Sequence, residues 1–228
     1  MVQDDVFLRD EGDAWFLRNR AALGEAAGRR HDWPLTLIAR LDETQRTGIA
    51  NVVELGCSNG WRLDLLRKTL PRRMVGIDAS AAAVADGMTR YPGLELQQGA
   101  LAAVPLQEQF DLAIVSFVLH WVDRSNLARC IAEIDRVTRD GGLLVLADFL
   151  PDHPQRRVYH HRLPEERMYT YKQDYAKIFE AMGSYREIAR TTFENGHKGD
   201  RITRATSGSR CVCTVLQKSL TGFYGESA

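Results

Sequence analysis

Glu54-Leu55-Gly56-Cys57-Ser58-Asn59-Gly60 closes a short apolar run, Asn51–Leu55, and leads into a stretch that carries Trp61, Leu65 and Leu66. The alternation of apolar and turn residues reads as strand, tight turn, helix. An acidic residue ends the strand, and the small residues after it let a ligand come close to the backbone. In a doubly wound sheet such a turn lies at the carboxyl ends of the strands, where ligands bind.

The same grammar extends outward from that turn. Further strands are expected near Met74–Ile77, Leu94–Gln97, Phe110–Val118 and Leu143–Asp148, with helices starting near Asn59, Ser80 and Ser125. Strands alternating with helices, and reading as buried on both faces, predict a parallel sheet. The first fifty residues read as two helices. One carries Trp15, Phe16, Asn19 and Leu23 on a stripe, and the other is capped by Asp32 with Pro34 in its first turn. After Pro151 the rhythm gives way to a polar, aromatic segment from Val158 to Tyr175. Lys172–Met182 then reads as a helix stopped by Gly183, and runs around Tyr185–Phe193 and Cys211–Lys218 suit an antiparallel pair closing a sheet edge.

The 228 residues therefore read as one domain, with a helical cap at 1–48, a ligand-binding core at 49–150 and a covering segment at 151–228. Lys and Arg number 30, as do Asp and Glu, so the net charge is zero. That balance argues against a polynucleotide partner, because phosphate-binding surfaces are usually strongly basic. No basic leader and no long apolar run precedes the core, so a soluble, cytoplasmic protein without a membrane partner is expected. The spacing of Cys57, Cys130, Cys211 and Cys213 matches no zinc pattern. Cys211 and Cys213 fall on one face of a strand, as buried small hydrophobes.

The second strand ends in Asp78, 18 residues beyond Gly60. A carboxylate there suits the two hydroxyls of a ribose; the alternative is a helix cap, since Asp78 and Ser80 precede Ala81–Met88. A nicotinamide dehydrogenase also uses a glycine-rich turn followed by an acid. Its fingerprint, however, spaces the glycines differently, and Glu54 beside a pyrophosphate is unfavourable whereas beside a cationic amine it is not.

Taken in order, these motifs resemble the class I S-adenosylmethionine-dependent methyltransferases. The matching residues are Glu54, Gly56 and Gly60 in the loop, Asp78 as the ribose acid, Gln98-Gly99-Ala100-Leu101 as the adenine turn, Phe110–Ser116 as the fourth strand, and Arg136–Val145 leading into the fifth. The resemblance implies a Rossmann-like three-layer α/β sandwich, a mostly parallel seven-stranded sheet with an antiparallel edge strand, and S-adenosylmethionine as cofactor. Cofactor contacts are implied for Glu54, Gly56, Cys57, Ser58, Gly60, Asp78, Ala79, Gly99, Ala100, Leu101, Ser116, Phe117 and Trp121. Two departures stand out. Ser58 replaces the middle glycine of the loop, and Ala100 stands where the family often has an Asp bonded to the adenine amine, which leaves that base to backbone and apolar contacts.

Trp15, Arg18 and Asn19 share a face of the first helix. Arg18 or Asn19 either holds the methionine carboxylate from a lid or belongs to a solvated face. His120, after the fourth strand, either takes a proton from an acceptor as general base or orders its loop. Tyr159, His160, His161, Tyr169 and Tyr171 read as a wall for a small-molecule acceptor, and adjacent histidines without a carboxylate motif argue against a metal. The expected activity is methyl transfer to oxygen or nitrogen of a small molecule, of the secondary-metabolite or modified-sugar class. Its rival is a non-catalytic cofactor-binding module or partner subunit.

Overall fold

In the computed structural model, which describes residues 3–26, 31–70, 72–161, 167–194 and 208–223, the apolar runs of the middle third become parallel strands. They are β1 (Asn51–Leu55), β2 (Arg73–Asp78), β3 (Glu95–Gln98), β4 (Phe110–Ser116) and β5 (Thr138–Phe149). A hairpin of β6 (Gln155–Val158) and β7 (Tyr169–Lys172) stands apart, and β8 (Tyr185–Glu194) and β9 (Arg210–Lys218) complete the main sheet. Its order is β3-β2-β1-β4-β5-β9-β8. Neighbours from β3 to β5 are parallel, while β9 runs antiparallel to both β5 and β8. The reversed strand thus lies one place in from the edge.

Helices cover both faces. They are α1 (Gln3–Val6), α2 (Gly12–Ala26), α3 (Trp33–Ala39), α4 (Glu43–Thr47), α5 (Trp61–Thr69), α6 (Ala81–Arg90), α7 (Leu127–Val137) and α8 (Ala176–Ala181). Alternate strand residues sort the core into two layers. Val53, Leu55, Ile77, Val115 and Leu146 pack with Ile131, Ile134 and Val137 of α7 and Phe179 of α8. Val52, Met74, Ile114 and Val145 pack with Leu37 and Ile38 of α3 and Leu63 and Leu66 of α5. Each large side chain removed from water contributes about 1.5–3 kcal/mol, so the two layers together account for most of what holds the sheet. Cys211 and Cys213, two residues apart, are buried in β9, as their spacing predicts.

The fifth strand starts earlier than expected, at Thr138, which pairs with Phe110 of β4. Three further elements depart from the expected boundaries, each for a local reason. The second expected helix breaks in two because Asp42 starts a new capping box: its side chain accepts from Gln45 N (2.8 Å) and Gln45 Oε1 accepts from Asp42 N (3.2 Å). Lys172–Met182 is helical only over Ala176–Ala181, because Tyr169–Lys172 pairs as a strand with Gln155–Val158. Aromatic and threonine residues there fit a pleated strand better than a helix. The first helix contains a π-helical turn, Phe7–Glu11, between α1 and α2. Among the described residues no helix is long and apolar enough to cross a membrane.

Candidate functional site

The carboxyl ends of β1, β2, β3 and β4 meet in one cavity, roofed by the amino-terminal helix. The turn after β1 depends on Gly56, whose φ is 78°; a Cβ there would meet the Val118 side chain at 2.2 Å. Ser58 and Phe117 also adopt left-handed backbone, at φ 53° and 57°, and both line the cavity. Such strain in residues with side chains persists only where the surroundings impose it, and it gathers at ligand sites.

Asp78 is the anchor of the site. Its Oδ2 accepts from Ser58 N (2.7 Å) and its Oδ1 from Ser80 N (2.8 Å), which ties the β1 turn to the β2 turn. Burial pushes its pKa up against the pull of these bonds. The cap of α6 is Ser80, whose Oγ accepts from Ala83 N (2.9 Å), so capping does not account for Asp78. The Ser58 hydroxyl is buried with no hydrogen-bond partner. A hydroxyl left so is costly unless a ligand meets it.

Of the residues singled out in the sequence, Gly56, Ser58, Asp78, Ala79, Gly99 and Ala100 line the cavity, as do Leu101, Ser116, Phe117, Trp121 and Trp15. Others stand elsewhere. Glu54 is fully buried beneath the turn, where Arg62 of α5 pairs with it; Arg62 also donates to Asp32 (3.0 Å) and to Ser116 Oγ (3.2 Å). Glu54 therefore fixes the turn from below, while its Oε2 is buried without a hydrogen-bond partner. Burial outweighs the attraction of Arg62 and pushes Glu54 up to about 7. Burial works against the charge of Arg62, but Asp32 and Glu54 overcome it and raise its pKa. Cys57 points into the core, where a Cβ on Gly76 would lie 2.6 Å from its Sγ, and Gly60 forms the left-handed start of α5.

Arg18 pairs with buried Glu11 and donates to Tyr159 Oη (2.6 Å), and Asn19 Nδ2 turns back to Trp15 O (2.8 Å). Neither reaches the cavity, because satisfying Glu11 takes the Arg18 guanidinium. Tyr159 donates to the same Glu11 (2.9 Å), which ties the segment after β6 to the amino-terminal helix. His160 and His161 are exposed. Tyr169 holds the Gln3 side chain through its main chain, and Tyr171 lies under the Arg124 guanidinium (4.3 Å). None of these five lines the cavity.

His120 is 4% exposed and sits behind Phe117 and Trp121, its ring centroid 5.0 Å from those of Trp121 and Phe149. Its Nδ1 is 3.0 Å from Asp148 Oδ1, out of line for a hydrogen bond, and its main-chain N donates to Asp148 Oδ2 (3.2 Å). A general base must come within hydrogen-bond reach of its proton, and from this position His120 shapes the wall and is not part of it.

The helical roof was expected from the sequence, but the residues that moor it were not. Gln3 Nε2 donates to the main-chain oxygens of Trp121 (2.5 Å) and Tyr169 (2.7 Å), and Asp4 accepts from Asp123 N (2.8 Å) and Asn126 Nδ2 (2.8 Å). At the other end Asp13 Oδ1 accepts from Ser80 Oγ (2.7 Å) and Ala82 N (3.0 Å), an acid at a helix amino terminus. Gly12 lets α2 press onto this loop, since a Cβ would lie 2.8 Å from Phe7 O and 3.2 Å from Ser80 N. Asp4, Phe7, Leu8 and Gly12 all line the cavity.

Residues 53–146 match the methyltransferase domain family. A probable S-adenosylmethionine-dependent methyltransferase of Mycobacterium tuberculosis (strain ATCC 25618 / H37Rv) is 34% identical over 99 residues, 42% of this chain and 35% of the relative. A trans-aconitate 2-methyltransferase of Acidovorax ebreus (strain TPSY) is 32% identical over 136 residues, 54% of this chain and 51% of the relative. The chain thus spans about a third to a half of the length of these curated relatives. The crystal structure of Burkholderia thailandensis 1,6-didemethyltoxoflavin-N1-methyltransferase superposes with a TM-score of 0.66 at 14% identity, covering 94% of this chain and 88% of that one, which shows the shared fold. Residues 53–146 are thus similar to the methyltransferase domain family, within a chain whose fold is shared with an S-adenosylmethionine-dependent methyltransferase structure.

Proposed function

We propose that the chain moves a methyl group from S-adenosylmethionine to an oxygen or nitrogen of a small molecule. The observation that carries this reading is the cavity itself. It sets a half-buried carboxylate, Asp78, and an unpartnered hydroxyl, Ser58, against apolar Leu101, Val118 and Val122. That donor set suits a ligand with a ribose diol, a polar amino-acid end and a flat base. When bound, the cofactor supplies a methyl carbon activated by positive sulfur. Asp78 takes the ribose hydroxyls, Ser58 bonds the polar end, and Phe117 and Trp121 offer aromatic faces to the cation, worth about 0.5–2 kcal/mol. The chain contributes alignment and exclusion of water more than proton transfer. A neutral net charge and a relative named for trans-aconitate support a small acceptor.

A second reading, a cofactor-binding module without turnover, is favoured by one observation: His120, the base expected in this loop, stands off the cavity. Methyl-labelled S-adenosylmethionine incubated with purified protein and a metabolite extract separates the two. Label is expected to pass to an extracted small molecule, with S-adenosylhomocysteine accumulating in step. Label retained on the protein without product would establish the binding module. S-adenosylhomocysteine is also expected to raise the melting temperature where NADH does not, by mass action on the folded state.

A further inference from the structure

The cavity has two carboxylates in its walls, and the cofactor reading employs Asp78 alone. The other is Asp4, on α1, half-buried, with burial raising its pKa. Its two oxygens each accept one bond, from Asp123 N and Asn126 Nδ2. A carboxylate has about four lone-pair directions, so these bonds fix its orientation and leave acceptor capacity on both oxygens.

The position of Asp4 along the cavity follows from what its neighbours hold. Asn126 opens α7, and the same helix carries Glu133, whose Oε2 accepts from Val104 N (2.8 Å), while Arg136 donates to Val104 O (3.2 Å). The loop that brings Gly99, Ala100 and Leu101 into the cavity is therefore hung on the helix to which Asp4 is tied. Leu101 and Val122 pack in one core layer, and both line the cavity with Asp4. Asp78 belongs to the opposite side, bonded to the turns after β1 and β2.

A ligand whose sugar is held at Asp78 directs its base past Ala79 toward Ala100, Leu101 and Val122. Those side chains are apolar and offer a flat base contact but no hydrogen-bond acceptor. An amine on the far edge of that base needs one, since a buried donor without a partner forfeits its desolvation cost. We propose that Asp4, carried in from the amino-terminal helix, accepts the exocyclic amine of the cofactor's adenine and so selects for an amine-bearing base. The proposal rests on the cofactor reading above. It makes the roof a direct part of the binding site.

Calorimetric titration tests it with two ligands: S-adenosylhomocysteine, and its analogue with hydrogen in place of the exocyclic amine. The wild-type protein is expected to prefer the amine by about tenfold or more, the range of a hydrogen bond to a charged group. In Asp4→Ala that preference should fall to within about threefold. In Asn126→Ala, which removes a structural partner of Asp4 but leaves its carboxylate, it should persist. Because the readout is a ratio of affinities on one protein, a general loss of stability does not move it. Should Asp4→Ala fail to fold, Asp4→Asn keeps the volume, removes the charge and is expected to narrow the same ratio. A wild type that binds S-adenosylhomocysteine without discriminating, or an Asp4 variant that keeps the wild-type ratio, overturns the assignment of Asp4 alone. A wild type that binds neither ligand overturns the cofactor reading and this proposal together.

Discussion

Asp78 and His120 show how far a single position can be read before its neighbours are known. Asp78 stood between a ribose acid and a helix cap; Ser80 performs the capping, which leaves the carboxylate to the loop and the ligand. Asp78→Ala is expected to weaken S-adenosylhomocysteine binding by about 2–3 kcal/mol, the worth of charge-assisted bonds to a diol. Calorimetry beside a urea midpoint checks it, since an unchanged affinity with a loss confined to stability would return Asp78 to a purely structural role. For His120 the hydrogen bond to Asp148 is made by the main-chain N, which a substitute keeps. His120→Gln keeps a side-chain donor near that carboxylate and is expected to hold methyl transfer within about threefold of wild type. A drop of ~10²–10⁴ with loss of one limb of the pH profile would make His120 the base after all.

Between elements, the cofactor half of the site and the presence of a helical roof were legible, and the moorings of that roof were not. The strand-turn-helix units carry their own signals: an apolar run, a small-residue turn and an acid at the end of the next strand. Placement of Gly56, Ser58, Asp78 and the Gly99–Leu101 turn follows from parallel pairing once the strands are known. Arg62 lies in the first turn of α5, close enough in sequence to Glu54 to be suspected as its partner, yet only the fold shows Asp32 and Ser116 joining them. Gln3, Asp4 and Asp13 bond to residues more than sixty positions away, and no local pattern announces such contacts. Asp13→Ala is expected to free α2 from the start of α6 and speed amide exchange in residues 7–26, while exchange in β1 and β4 stays as in the wild type. Equal exchange in both proteins would show that Gln3 and Asp4 suffice to hold the roof.

Across the whole molecule, the trio of Glu54, Arg62 and Asp32 joins the end of β1, α5 and the start of α3. Its pH signature follows from Glu54, raised from 4.5 to about 7 by burial. Between those values the folded state keeps a proton that the unfolded chain releases, so the stability it contributes is complete below pH 4.5 and is lost as pH rises through about 7. Urea midpoints taken from pH 4.5 to 8 should therefore fall more steeply for the wild type than for Glu54→Gln. Parallel curves would mean that Glu54 is ionised throughout.

The π-helical turn at Phe7–Glu11 has a consequence for how the amino-terminal segment can vary. It separates two moorings, Gln3 and Asp4 on the loop after β4 and Asp13 at the foot of α6, and both must face the cavity rim together. One residue more or fewer rotates everything beyond it by about 100° about the helix axis. The span from Asp4 to Asp13 is thus a phase as well as a distance, and its residue count is a tighter constraint than the identity of most side chains within it.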